Sequence, residues 1–345
     1  MQSNIHYKIG SLVYLLLHLL IFSCSSEKKD NKTNPYQIKI GFGSCLKQNN
    51  PMPIFQSIKK ENFDLFLMIG DNVYGDTEKK DLKELKLAYE KQKKNFKELE
   101  LNFPLEAIWD DHDYGRNDAG KEYPFKKESK ELFLKFWNVP KDDERRTRPG
   151  LYYARSITLG EKRFQLLFLD TRTFRDSLIK TDKYAPGKER YISNNDASAT
   201  ILGKNQWKWL QNKFTEHADY RIIISSIQFL PIGHGWESWN NFPHERKKLI
   251  TFIEKHELKN ILFISGDRHR GGIYQLKTET GKTISEITSS SLNASFSGSE
   301  EFGPLRIGKT FIEENYGSII INSSNDVILV DLKNMDGKIL KSLKI

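Results

Sequence analysis

Cysteine is scarce in this 345-residue chain: there are two, Cys24 and Cys45. If Cys24 belongs to an N-terminal processing segment, Cys45 is the single thiol left to the mature protein, which excludes an internal disulfide framework. No Gly-x-Ser-x-Gly motif occurs, and Ser265 before Gly266 lacks the pattern, which argues against a serine nucleophile raised on a strand-to-helix elbow. No apolar run reaches the roughly 18 residues that a membrane-spanning helix needs. There is no repeat of fixed period, no long low-complexity segment and no recognised nucleic-acid-binding module. What the chain does have is cationic excess, a formal charge of +9 and a pI near 9.2, which favours anionic partners. The lysine runs at 79–80 and 91–97 read as solvated helix faces rather than as a basic groove.

Lys8 precedes a short apolar stretch, residues 12–22, that ends at Ser23-Cys24. This has the build of a targeting segment, and Ile21-Phe22-Ser23-Cys24 resembles a bacterial lipoprotein signal, in which the cysteine becomes the lipidated first residue. An ordinary secretory peptide or an uncleaved anchoring helix are the alternatives. The expected organisation is a signal over residues 1–24, a polar, lysine-rich tether over 25–36 and a catalytic domain over 37–345. Such a protein is exported and sits on the periplasmic or cell-surface side, held to a bacterial membrane by lipid.

Beyond the tether, apolar runs and amphipathic stretches alternate. Strands are predicted at 38–42, 65–69 and 104–108, helices at 53–61, 80–95 and 127–137. Residues 151–156 and 163–170 read as a hairpin across Gly160, 180–199 as a long surface loop, and 203–215 as a helix with Trp207, Leu210 and Phe214 on its core side. A buried strand at 221–229 carries Gln228 at its end, a loop rich in glycine and aromatics follows at 231–243, and then a helix at 245–254. The strand at 260–265 runs into Gly266-Asp267-Arg268-His269, and 272–276, 284–288 and 318–332 are β-rich, completing a second sheet. The fold class is α/β, a two-layer β-sandwich core flanked by helices.

Four strand ends carry chemistry. Gly43-Ser44-Cys45, Gly70-Asp71-Asn72-Val73-Tyr74, Trp109-Asp110-Asp111-His112-Asp113 and Gly266-Asp267-Arg268-His269 each follow an apolar run. Ligands of open α/β sheets gather where strands end, so these segments bring Cys, Tyr, three Asp and two His to one place. So many carboxylates together are costly unless a cation neutralises them, and this is the donor composition of a two-metal hydrolase. Thiolate and phenolate suit a ferric ion, and hard oxygens suit calcium or magnesium. Gln228 is a candidate amide ligand and Asn117 a candidate substrate contact. Arg172, in Asp170-Thr171-Arg172, either pairs with Asp170 or reaches a substrate phosphate as a bidentate fork. Asp110, Asp113 and Asp118 are read mostly as turn caps or as partners of Arg116. His234 and His244 carry no assigned role.

These motifs, in this order, resemble the PhoD-type alkaline phosphatases within the calcineurin-like metallophosphoesterases, over roughly residues 38–293. The resemblance implies a metallophosphoesterase-like fold and metal-dependent hydrolysis of phosphate esters. It makes Cys45 the ligand at the first strand end, where the wider superfamily has Asp-x-His, and Asp71 the carboxylate bridging both ions. Tyr74 becomes the phenolate ligand also found in purple acid phosphatases. Asp111 replaces the Asn of the superfamily Gly-Asn-His motif and leaves His112 as the catalytic histidine, while Asp267 and His269 stand in for the terminal Gly-His-x-His. The implied cofactors are two metal ions, Fe(III) with a divalent ion such as Ca2+, with Mg2+, Mn2+ or Zn2+ as alternatives. The substrate is a small phosphate monoester or diester. Two other readings are a diester-specific phosphodiesterase or phospholipase, and a surface lipoprotein that binds phosphorylated ligands without turnover.

Overall fold

The computed structural model describes residues 36–298, 300–324 and 326–345. The expected signal, the lipidation site at Cys24 and all but the last residue of the expected tether lie outside them. Fourteen strands appear among the described residues. The first five are β1 (Gln37–Gly43), β2 (Leu65–Ile69), β3 (Leu105–Ile108), β4 (Tyr153–Leu159) and β5 (Lys162–Phe168). A two-residue ladder, β6 (Ile179–Lys180) with β7 (Tyr191–Ile192), precedes β8 (Tyr220–Ile224), β9 (Ile261–Ser265), β10 (Gly271–Lys277) and β11 (Thr283–Ser289). The last three are β12 (Asn315–Asn322), β13 (Val327–Asn334) and β14 (Ile339–Lys344). The helices are α1 (Ile54–Lys60), α2 (Lys83–Leu99), α3 (Asp111–Tyr114), α4 (Lys126–Phe136), α5 (Gly203–Thr215) and α6 (Pro243–Lys255).

Two six-stranded sheets form, one in the order β14-β13-β12-β1-β2-β3 and the other β10-β11-β9-β8-β5-β4. The period-2 alternation of their strands explains how they stack. In β2, Leu67 and Ile69 join one core with Ile222 and Ile224 of β8 and Leu262 and Ile264 of β9, so this core lies between the sheets. The alternate residues face outward: Phe66 and Met68 pack with the apolar side of α1 and α4, and Ile223 and Phe263 with that of α5 and α6. Strands buried on both faces read as continuous apolar runs, which is why 65–69 and 261–264 are so uniformly hydrophobic. On α2 the lysines are exposed, and Leu85, Ala88, Tyr89 and Gln92 form its buried side.

Two expectations change. Strands β10 and β11 do complete the second sheet, but 315–344 extend the first, because β12 pairs antiparallel with β1 and β13 and β14 follow it. The strand expected over 221–229 stops at Ile224. Past it the buried Glu286 carboxylate accepts the Phe229 N–H (3.0 Å) and the Leu230 N–H, so these amides leave the ladder. Apolar character continues there, but ladder pairing does not, and Gln228 is not a strand end.

The functional end is set by direction. Strands β1, β2 and β3 are mutually parallel, as are β5, β8, β9 and β11. Their carboxyl ends meet, Ser44 bridges to Ser290, and the Gly266 N–H donates to the Ser226 carbonyl at 2.9 Å. The approach is close enough to demand glycine: a Cβ at Gly70 (φ +109°) would lie 2.6 Å from the Asp110 Cβ, and one at Gly266 2.4 Å from the Ser44 hydroxyl.

Candidate metal centre

Three of the four strand ends turn sharply. Cys45, Asp71, Asp267 and His269 have φ values of 56°, 52°, 68° and 53°, in the left-handed region that non-glycine residues rarely occupy. Such backbone persists where the surroundings dictate it, and here it swings four candidate ligands into one cleft. Cys45, Asp71 and His269 present ligand atoms within 4.8 Å of one another, and so do Asp71, Asp111 and His112, and Asp110, Asp111 and Asp267. Asp71 belongs to two of these groups. Its Oδ2 accepts from the Cys45 thiol (3.4 Å) and the Tyr74 hydroxyl (3.2 Å), while its Oδ1 is buried with no hydrogen-bond partner among the described residues.

Neighbouring groups fix the ligand orientations. The His269 ring Nδ1 bonds the Ala294 carbonyl, leaving Nε2 toward Tyr74 Oη at 3.5 Å. The Ser290 hydroxyl accepts from His269 N–H (2.7 Å) and lies 3.1 Å from the Cys45 sulfur. Asp111 takes the backbone N–H of His112 and Asp118. The His112 ring packs on Tyr74, centroids 4.2 Å apart, and its Nδ1 lies 2.6 Å from Asp76 Oδ2. Carbonyl or carboxylate partners of this kind set the tautomer and aim of metal-site imidazoles.

The carboxylates shift in opposite directions: His112 and Arg172 outweigh burial at Asp111 and hold its carboxyl low, but not at Asp71 or Asp267. Burial and then the neighbouring Asp111 push the Asp71 carboxyl well above its usual range, and Asp267 is raised by burial and by Asp110, Glu237 and Asp111. Burial pushes the Cys45 thiol up to about 11 and lowers His269. For His112 burial works against the charge, but Asp111, Asp71 and Asp76 outweigh it and raise the imidazole to about 11. This donor set fits metal binding, and the Asp71 Oδ1 is a buried oxygen that no described residue satisfies.

The remaining candidates fall elsewhere. Arg172 is fully buried, and its guanidinium is held by Asp110 (2.5 Å) and Glu237 (2.8 Å), with Asp170 bonding only its backbone N–H. All its charge is spent inside the protein, so the expected phosphate fork gives way to a scaffold role. The Gln228 amide nitrogen donates to Thr288 (2.8 Å) and Tyr274 (3.3 Å), within a network that includes Ser265 and Glu286, and its Oε1 is buried with no hydrogen-bond partner among the described residues. Asn117 is exposed on the cavity wall, where its N–H donates to Asp76. Asp113 closes the first turn of α3 and accepts from Asn72, Asp110 pairs with Arg172, and Asp118 takes the Tyr191 hydroxyl and Arg190. Arg116, the expected partner, instead pairs with Glu78 and Glu122. His234 is buried, kept neutral by burial and by Arg268 and Arg270, and accepts from Trp236 N–H; His244 lies on α6 at the Ala199 carbonyl. Sequence reasoning missed Asp76, Ser226, Ser290 and Glu237. Only Asp76 carried a signal, two residues beyond Tyr74 in an acid-rich strand end.

The centre opens into a cavity of about 520 Å³. Its floor is Asp71, Asp111, His112, Asp267 and His269; its walls come from the stretches 184–191, 236–237, 296–298 and 300–302. The stretch expected as a plain surface loop is thus a wall, pinned where the Arg190 and Tyr191 N–H groups donate to the Gly235 carbonyl and Glu189 accepts the Gly235 N–H.

Facing sheets whose parallel strand ends converge on buried carboxylates, a thiol and two imidazoles define a metallophosphoesterase architecture. Within that class the chain belongs to the PhoD-like phosphatase family, which it matches over residues 40–339. It is 25% identical over 299 residues to alkaline phosphatase D of Bacillus subtilis (strain 168), an alignment covering 74% of this chain and 49% of that protein, so it spans about half of that relative's length. A solved structure of PhoD superposes with a TM-score of 0.68 at 19% identity, over 91% of this chain and 69% of that one. Purple acid phosphatase PPD1 from yellow lupin gives 0.58 at 12% identity, over 90% of this chain and 53% of its own. GAP50, the anchor in the inner membrane complex of Plasmodium, gives 0.56 at 12% over 90% and 88%. These structural likenesses establish a shared fold.

Proposed function

We infer that this chain is an exported metal-dependent hydrolase of phosphate esters, working at a two-cation centre. The observation that carries this is Asp71: a buried carboxylate common to two ligand groups, with one oxygen left without a hydrogen-bond partner among the described residues. Cys45, Tyr74 and His269 would complete the site on one side of it and Asp111, Asp267 and His112's neighbourhood the other. Cations bound there supply Lewis acidity toward the phosphoryl oxygens and activate water as the nucleophile. Tyr74 and Cys45 favour a ferric ion on their side, and the carboxylates favour a hard divalent ion. His112, held by Asp76 and packed on Tyr74, is positioned to stabilise charge on the phosphoryl group or to give the leaving oxygen its proton. Asn117 at the cavity wall is the candidate substrate contact.

Metal analysis of the purified protein, with turnover of a phosphate monoester and a phosphodiester in parallel, tests this reading. Two ions per chain with hydrolysis of either ester supports it; an active protein with no bound metal overturns it. A ferric ion held by Tyr74 or Cys45 gives a visible charge-transfer band that Tyr74→Phe or Cys45→Ser shifts or bleaches, and a colourless, iron-free, fully active enzyme removes the ferric assignment alone. Anchoring through Cys24 belongs to the same reading: Cys24→Ser moves the protein from the membrane to the soluble fraction, whereas an unchanged partition points to an uncleaved helix.

A further inference from the structure

Three of the most exposed large hydrophobic side chains of the described protein, Tyr184 (71%), Phe302 (71%) and Phe296 (54%), line one cavity, the one above the metal centre. They come from two loops distant in sequence, so their meeting is made by the fold. Apolar rings left in water around a cleft mark a binding surface. Behind them the wall is already assembled: Trp236 meets Phe296 edge to face at 6.3 Å, and the Arg268 guanidinium lies 5.1 Å from the Trp236 ring. Room for Phe302 depends on a glycine, because a Cβ at Gly233 (φ +94°) would come within 2.6 Å of its ring. The cavity, about 520 Å³, is of the size that takes a whole small molecule, whereas the phosphoryl group needs only the carboxylate floor.

Resting on the phosphoesterase reading, we propose that the outer part of this cavity is an aromatic subsite for the leaving group, and that the preferred substrates are phosphate esters whose alcohol carries a planar heteroaromatic ring. Flat π faces with a stacked guanidinium attract another flat, polar-edged ring through offset stacking and cation–π contact. A flexible alkyl chain has no π face to set against these rings or against the Arg268 guanidinium, which Glu301 holds beside Trp236. The rings hold the alcohol, and the floor acts on the phosphoryl group.

The test compares AMP with ribose 5-phosphate. Both are esters of the same primary hydroxyl, so a difference between them reports the base and not the intrinsic reactivity of the bond. The metal-loaded parent is expected to favour AMP by about tenfold or more in kcat/KM, carried by KM. The double variant Phe296→Ala/Phe302→Ala brings the ratio to within about twofold by losing AMP alone, with ribose 5-phosphate unchanged. A parent ratio near one, or an equal loss on both substrates, overturns the subsite. An unchanged ratio with lost binding to neutral phospholipid vesicles makes the rings a membrane contact and also overturns it. If neither ester turns over with any metal, the phosphoesterase reading fails. The subsite is then decided by adenosine alone, which must quench tryptophan fluorescence saturably in the parent and not in the double variant.

Discussion

Two clusters of buried charge touch at the neighbouring residues Asp110 and Asp111, and they are built to opposite ends. In one, Arg172 and Arg175 face Asp110 and Glu237 at 2.5 to 2.9 Å, two cations against two anions, all essentially inaccessible to water. In the other, Asp71 and Asp111 are equally buried and Asp267 is partly so; His112 offsets the first two and Arg172 the third, and none of the three has a direct ion pair with Arg or Lys among the described residues. Burial is therefore not what separates scaffold from site; charge balance is. A closed ion pair inside a protein holds geometry, and removing one partner strands the other. An unbalanced cluster is tolerable only if something from outside completes it.

The comparison breaks or sharpens under substitution. Asp71→Asn has the largest effect, hydrolysis falling to background with metal content lost together, because one carboxylate serves both ions. The same variant stripped of metal by a chelator melts at the temperature of the stripped parent or above it, since a repelling charge has gone. A stripped variant that melts well below the stripped parent would mean that Asp71 is paired within the protein after all.

Arg172→Met comes next and behaves the other way: it lowers stability by about 3–5 kcal/mol with or without metal, because Asp110 is left buried without its cation and Glu237 keeps only Arg175. Denaturant melts of loaded and stripped protein check this, and a loss confined to the loaded form would return Arg172 to the substrate side. His112→Ala cuts kcat by about a hundredfold or more with metal content near normal. A rise in KM at unchanged kcat would make it a binding residue. Asp76→Asn is smaller, on the order of tenfold in kcat, acting through the aim of the His112 ring; loss of metal in that variant would place Asp76 in the coordination sphere instead.

The same contrast explains what the sequence disclosed. The floor was legible because each ligand directly follows an apolar run, so local pattern alone marks Asp71, Asp111, Asp267 and His269 as strand ends. The paired cluster was not, because the partner of Arg172 is Glu237, in a loop that no periodicity or motif distinguishes. Gln228 was misplaced since Ile227, Phe229 and Leu230 are as apolar as a strand, and only Glu286, from β11, takes their neighbourhood out of the ladder. The cavity wall was illegible for a related reason: Tyr184, Trp236 and Phe302 meet through loop contacts such as those at Gly235, which depend on tertiary geometry rather than on local preference.

The antiparallel pairing of β1 with β12 sets Gln37 opposite Asn322, joining the first described strand to one from the last tenth of the sequence at the middle of one sheet. The strand that delivers Cys45 therefore has no neighbour on that side until the last part of the polypeptide is available. Contacts so distant in sequence are entropically late, and chains that depend on them fold slowly. The carboxylates that follow β2 and β3 therefore sit in a sheet whose central pairing is completed only when residues 315–322 have been made, so the cleft is among the last parts of the fold to close.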